Sequence, residues 1–141
     1  MARVHPGESN SSFVMKGILD FLTDEKNEQA DLLRKNFVFM IVPMVNVDGV
    51  MYGNYRCSLS GIDLNRTWKR SDPSLFPEVS AMRKTFEQFH SEHPVVLAVD
   101  LHGHSRARRA FMYGNNYEHN PESTRLFPFV MSKMEPTYFN Y

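Results

Sequence analysis

Two apolar runs, Phe37 to Val45 and Val95 to Leu101, set the strongest limit on how this chain folds. Neither alternates with polar residues, and such runs rich in Phe, Val and Ile suit strands covered on both faces, as in parallel or mixed sheets. Between them Val79, Met82, Phe86 and Phe89 recur at helical spacing. Pro77 is placed for the first turn of that helix and Pro94 forbids its continuation. Strand, crossover helix and strand make a βαβ unit with a right-handed crossover, so the fold class is α/β.

The remaining elements follow from local punctuation. Ser11-Ser12 offers an N-cap, and Val14, Ile18, Phe21 and Leu22 then form an apolar stripe on a helix ending near Thr23. A second helix is predicted from about Asn27 to Lys35. Asn46 to Arg70 carries turn chemistry in Asp48-Gly49, Gly53-Asn54 and Gly61, and reads as a long loop. A short strand is predicted at Ala110 to Tyr113, then a helix following Ser123, with Pro128 limiting where it starts. With 141 residues, no internal repeat and no low-complexity linker, the chain reads as one unit.

Composition excludes several functions. Hydrophobic residues make up 42% and charged residues 23%, which is incompatible with disorder throughout. Lys+Arg and Asp+Glu number 16 each, so net charge gives no reason to expect nucleic acid or a membrane surface as partner. The longest uninterrupted apolar stretch, Phe37 to Val42, is far short of the roughly 20 residues that span a bilayer. The first residues lack the apolar region of a secretory signal, and a lone Cys57 suits a reducing compartment, so a cytoplasmic location is expected. Oligomeric state is not legible.

In open α/β sheets ligands bind beyond the carboxyl ends of the strands. Three polar sets lie there: His5-Pro6-Gly7-Glu8 after a strand represented by Met1 to Val4, Asn46-Val47-Asp48-Gly49 after the second strand, and His102-Gly103-His104 after the third. Two imidazoles and a carboxylate on two loops suit a catalytic zinc, because three protein ligands leave a fourth position for water. Zinc lowers the pKa of such water from about 15.7 to about 7. His90, His93, His104 and His119 read as helix-terminus and loop residues. A ligating imidazole needs a partner for its other N–H, and Asp63 is the candidate for His5. Asn65 beside Arg66 is a good carboxylate clamp, and Arg56 is a candidate to polarise a carbonyl.

Local charge adds to this. Residues 56–70 hold Arg56, Arg66, Lys69 and Arg70 against Asp63, and residues 102–110 hold Arg106, Arg108 and Arg109 with no acid. Two basic loops favour an anionic substrate. No basic helix or aromatic-interleaved patch favours nucleic acid.

The runs Ala2-Arg3-Val4-His5-Pro6-Gly7-Glu8-Ser9, Val45-Asn46-Val47-Asp48-Gly49-Val50, Gly53-Asn54-Tyr55-Arg56-Cys57, Gly61-Ile62-Asp63-Leu64-Asn65-Arg66-Thr67-Trp68 and Asp100-Leu101-His102-Gly103-His104-Ser105 together resemble the zinc carboxypeptidase family, in particular its cytosolic carboxypeptidase branch. Phe111-Met112-Tyr113-Gly114 and Phe127-Pro128-Phe129 resemble the same branch, so the likeness covers nearly the whole chain. The resemblance implies His5, Glu8 and His102 as zinc ligands and Asp63 as the partner of His5. It implies Arg56 as carbonyl polariser, and Asn65 and Arg66 as binders of the substrate's terminal carboxylate. It also implies a mixed, mostly parallel sheet flanked by helices. For this branch it implies removal of C-terminal or side-chain-linked glutamate from acidic protein tails such as those of tubulin.

The family's catalytic glutamate lies downstream of the third ligand, beyond Tyr141. Glu118, Glu122 and Glu135 are the acids after His102, and none sits in a buried strand context. The chain therefore reads as a partial peptidase catalytic domain over residues 1–141. Two alternatives stand beside this reading: a zinc amidohydrolase acting on small N-acyl acidic amino acids, and a non-catalytic binder of acidic tails.

Overall fold

Proline and asparagine punctuation sets most of the helix boundaries. The structure, a computed structural model, describes residues 1–70, 72–115 and 117–141. The chain divides into two units, Met1–Gly103 and His104–Tyr141.

In the first unit, α1 spans Ser9–Thr23 and packs on α2, Glu28–Asn36. Asn27 caps α2, its Oδ1 accepting from the backbone N–H groups of Gln29 and Ala30 at 3.0 Å each. The start of α1 differs from the expected Ser11-Ser12 cap. Glu8 holds the N-cap position without a side-chain cap, and Ser11 is a buried residue inside the helix. The buried stripe is correspondingly shifted, with Ser11, Met15 and Leu22 inward and Val14 and Ile18 exposed. The expected long loop contains one short helix, α3 at Val47–Met51, and a 3-10 turn at Leu64–Arg66. The next helix, α4, runs from Pro77 to Glu92 as its prolines dictate.

Met1 to Val4 form the seam of this unit. On one side Ala2 N–H donates to the Val42 carbonyl, while Val45 and Asn46 donate to the carbonyls of Ala2 and Arg3, all at 3.0–3.1 Å. On the other side the Met1 nitrogen donates to Val99 and Leu101 donates to Met1, forming a parallel bridge between Ala2 and Leu101. Below the seam Val4, Val45, Leu64, Phe76 and Val79 make the buried core. Among the described residues this pairing does not extend into regular strands. The predicted strands Phe37 to Val45 and Val95 to Leu101 touch the seam only through residues 42–46 and 99–101. Phe37, Val38, Phe39, Val96, Leu97 and Val99 are exposed rather than covered on two faces. An apolar run states what a segment needs as neighbours, and the described residues supply those neighbours only next to Met1 to Val4.

In the second unit, the expected strand at Ala110 to Tyr113 is reduced to one parallel bridge from Ala110 to Phe139. Its helix, α5, spans Pro121–Met134. It begins ahead of Ser123, because Asn120 caps it through Ser123 N–H and Pro121 suits the first turn. Pro128 is accommodated inside it. Among the described residues, no helix is long and apolar enough to cross a membrane.

Candidate metal centre

Each ligand stands where a backbone constraint puts it. His5 follows the buried seam and is itself 3% exposed. Arg3 turns the chain out of the seam, with a positive φ of 56° that a non-glycine residue adopts only at a cost. Its guanidinium donates to the Pro6 carbonyl at 2.6 Å and to Ser12 Oγ at 3.0 Å, tying the ligand loop to α1. Asn46, fully buried, donates from Nδ2 to the Val4 carbonyl at 3.2 Å and accepts Gly49 N–H at 3.0 Å. The Asn46 to Gly49 set therefore supports the site from below, while Asp48 is exposed at the start of α3. Gly7 N–H donates to the Tyr55 carbonyl at 2.7 Å, and a Cβ on Gly7 would lie 2.7 Å from that oxygen. This close approach staples the ligand loop to the segment that carries Arg56.

His5, Glu8 and His102 converge so that one donor atom from each lies within 4.8 Å of the others. His5 Nδ1 is 2.9 Å from Glu8 Oε1, His102 Nδ1 is 3.1 Å from Glu8 Oε2, and the two Nδ1 atoms are 3.2 Å apart. The opposite ring nitrogens face carboxylates: His5 Nε2 lies 3.0 Å from Asp63 Oδ1, and His102 Nε2 2.7 Å from Asp100 Oδ2. Those acceptors place the imidazole proton on Nε2 in the neutral rings, so both Nδ1 lone pairs point at each other and at the Glu8 carboxylate. Three converging acceptors with no proton of their own fit a cation. Two nitrogens and one oxygen suit zinc with an open fourth position.

The carboxylate of Asp63 joins this triad to the neighbouring polar groups. Its Oδ1 accepts from His5 and from Asn65 N–H at 2.9 Å, and its Oδ2 accepts from Arg56 Nε at 2.8 Å. Burial opposes the charge on Asp63. The hydrogen bonds from His5 and Asn65, with the nearby positive charge of Arg56, outweigh it and hold the pKa below the usual carboxylate range. In the metal-free protein the Asp100 hydrogen bond lifts the His102 pKa above that of an ordinary imidazole against burial, and the charges of Asp100 and Glu8 add to it. Glu8 is oriented by the Gly103 N–H, which donates to Oε2 at 2.6 Å. The Asn65 side chain accepts from Trp68 Nε1 at 2.7 Å, and the exposed Arg66 guanidinium donates to the Asn65 carbonyl at 3.2 Å.

Thus the structure gathers His5, Glu8, His102, Asp63, Arg56, Asn65 and Arg66 into one connected network in the first unit. His90, His93, His104 and His119 are exposed, as expected. Arg106, Arg108 and Arg109 are exposed residues of the second unit. Sequence reasoning gave no role to Arg3, Asn46 or Asp100. For Asp100 a signal existed: residues two apart on a strand share a face, so Asp100 and His102 are natural partners.

A family model described as zinc carboxypeptidase matches residues 1–137. The chain belongs to the zinc carboxypeptidase family. It is 48% identical over 141 residues to cytosolic carboxypeptidase 2 of Xenopus tropicalis, covering 98% of this chain and 14% of that protein. It is 44% identical over 146 residues to cytosolic carboxypeptidase 3 of Mus musculus, with 99% and 14% covered. Among solved structures, the metallo-carboxypeptidase of Burkholderia cenocepacia superposes with a TM-score of 0.83 at 28% identity, covering 99% of this chain and 38% of that one. A metallo-carboxypeptidase of Pseudomonas aeruginosa, solved with (2-guanidinoethylmercapto)succinic acid, matches with a TM-score of 0.77 at 28% identity, over 99% and 37%. These likenesses establish a zinc carboxypeptidase-like fold and zinc as the family's metal. The chain spans about one seventh of these curated relatives and under two fifths of these solved chains.

Proposed function

We propose that residues 1–141 supply the metal-binding and carboxylate-recognising part of a cytosolic zinc metallocarboxypeptidase domain. The proposed reaction removes C-terminal or side-chain-linked glutamate from acidic protein tails such as those of tubulin. The observation that carries this reading is the Asp63 carboxylate, whose two oxygens tie a metal ligand, an arginine and a carboxylate clamp together through His5, Arg56 and Asn65. A metal site alone serves many hydrolases. A metal site wired to an arginine and an Asn-Arg pair suits a substrate that ends in a carboxylate.

In this reading His5, Glu8 and His102 hold the ion. When bound, zinc supplies Lewis acidity toward a substrate carbonyl and toward water. Asn65 and Arg66 bind the terminal carboxylate and so fix which peptide bond is presented. Arg56 is held through Nε, which leaves its terminal nitrogens to donate to the scissile carbonyl as negative charge develops. The exposed Arg56, Arg66, Lys69 and Arg70 favour an acidic tail on approach. The solved relative bound to a succinic acid derivative supports a dicarboxylate as ligand chemistry. Glu118, Glu122 and Glu135 are exposed in the second unit and receive no role. We assign the general base to the remainder of a longer domain, whose mixed, mostly parallel sheet flanked by helices would extend the parallel bridge between Ala2 and Leu101.

Elemental analysis of the purified chain, with turnover of a glutamate-tailed peptide on the same sample, tests this. About one zinc per chain without turnover is expected of the metal-binding part alone. Zinc with clear turnover would place a general base within these residues. Absence of stoichiometric metal would overturn the assignment.

A further inference from the structure

Asn65 is an ambidextrous residue: its amide carries an acceptor oxygen at one end and two donor N–H bonds at the other. A substrate carboxylate only accepts hydrogen bonds, so a clamp built on Asn65 works in one amide orientation and fails in the other. We propose that Trp68 is the positioning residue that sets this orientation, making Asn65 a dedicated donor to a terminal carboxylate and thereby selecting free C-terminal carboxylates over carboxamides. The proposal rests on the reading of Asn65 and Arg66 as a carboxylate clamp.

The geometry points this way from several sides. Indole Nε1–H is a donor and nothing else, so the atom 2.7 Å from it on Asn65 must be the oxygen. With Oδ1 engaged, the amide presents its two N–H bonds, and among the described residues they meet no acceptor of this chain. The backbone of Asn65 is pinned at both ends, its N–H on Asp63 Oδ1 at 2.9 Å and its carbonyl receiving Arg66 Nη1 at 3.2 Å. The side-chain torsions are therefore the freedom that remains, and Trp68 removes it.

The indole itself is firmly held. It packs against the buried cluster of Val4, Val45, Leu64, Phe76 and Val79. Leu64 is fully buried, and Thr67, 4% exposed, closes the turn with Oγ1 on the Leu64 carbonyl at 2.8 Å. A partly buried aromatic body packed on the core, with its N–H bonded to Asn65, transmits the rigidity of the core to the amide.

The test uses the zinc-loaded chain and two peptides ending in glutamate, one with a free C-terminal carboxylate and one with a C-terminal carboxamide. Binding of both is measured by calorimetry to the unchanged chain and to Trp68→Phe, which keeps an aromatic ring and loses the N–H. The unchanged chain is expected to prefer the carboxylate. The variant should narrow that preference by about three- to tenfold, the worth of one net hydrogen bond, because the released amide can turn its oxygen toward the carboxamide N–H. A merely structural role would weaken both peptides together and leave the ratio alone. Trp68 is the only tryptophan, so its indole N–H gives a single NMR resonance. That resonance should shift and exchange faster in Asn65→Ala, a measurement independent of whether Trp68→Phe folds. No preference in the unchanged chain would overturn the clamp itself. A clear preference that Trp68→Phe retains, or an indole resonance indifferent to Asn65→Ala, would overturn the role of Trp68 and leave the clamp standing.

Discussion

The two imidazoles of the metal centre follow one plan and differ in what stands behind them. Both turn Nδ1 inward and Nε2 toward a carboxylate. Behind His5, Asp63 has both oxygens engaged, by His5, Asn65 and Arg56. Behind His102, Asp100 uses Oδ2 alone, and among the described residues its buried Oδ1 meets no partner. His5 is nearly inaccessible, whereas the His102 side chain keeps 29% of its exposure. One ligand is thus cross-braced to the substrate-facing residues, and the other is held by a single strut. Support of a ligand and communication with the substrate are separable, and here only the His5 side has both.

The most severe way to probe this is to remove a ligand. His5→Ala or His102→Ala is expected to abolish stoichiometric zinc, and elemental analysis showing unchanged metal in either variant would break the site. Next come the carboxylates behind them, where loss of such a partner typically costs 10- to 100-fold in metal affinity. Asp63→Asn should lie near the upper end, since an amide offers one acceptor oxygen where Asp63 uses two. Asp100→Asn should lie near the lower end, since its oxygen can still receive His102 Nε2. Competition with a chromophoric chelator measures both, and equal losses would erase the asymmetry.

A smaller effect is expected at Gly103, where a Cβ would come within 2.8 Å of Asn10 Oδ1 and 3.2 Å of Glu8 Cγ. Gly103→Ala should weaken zinc by several-fold, visible in the same competition assay, by pushing Glu8 off its backbone donor. The finest probe is protonation. In the metal-free chain His102 should titrate above the usual imidazole value of about 6.5 by NMR, and Asp100→Asn should bring it down. Because a protonated imidazole cannot ligate, zinc affinity should fall as pH drops through that raised value. A midpoint unmoved by Asp100→Asn would remove Asp100 from the account.

Much of this site is legible in the sequence. His5, Glu8 and His102 are readable because residue type sets ligand chemistry and because they follow apolar runs that end at one sheet edge. Pro77, Pro94 and Asn27 mark helix limits by constraints that act on neighbouring residues alone. Asp63, Arg56, Asn65 and Arg66 are readable as chemical types, and their roles were sharpened by the family resemblance. The supporting cast escaped because its meaning is tertiary: Asn46 reaches Val4 across 42 positions, and Arg3 acts through a backbone carbonyl. The expected strands are seen only in part for a related reason. Phe37 to Phe39 and Val96 to Val99 have the composition of covered strands, but composition does not supply the cover. The start of α1 at Ser9 rather than after Ser11-Ser12 escaped for the same reason, because the Glu8 carboxylate before it is engaged by the histidines across the fold and leaves no side-chain cap for the sequence to signal.

That last point links two processes usually discussed apart. Glu8 is at once the residue before the first turn of α1 and the oxygen donor between two imidazoles. A cation that draws in its carboxylate also tethers the residue from which α1 begins. Loading the site and nucleating the helix become one cooperative event, and slowed amide exchange over the first turn of α1 is its signature.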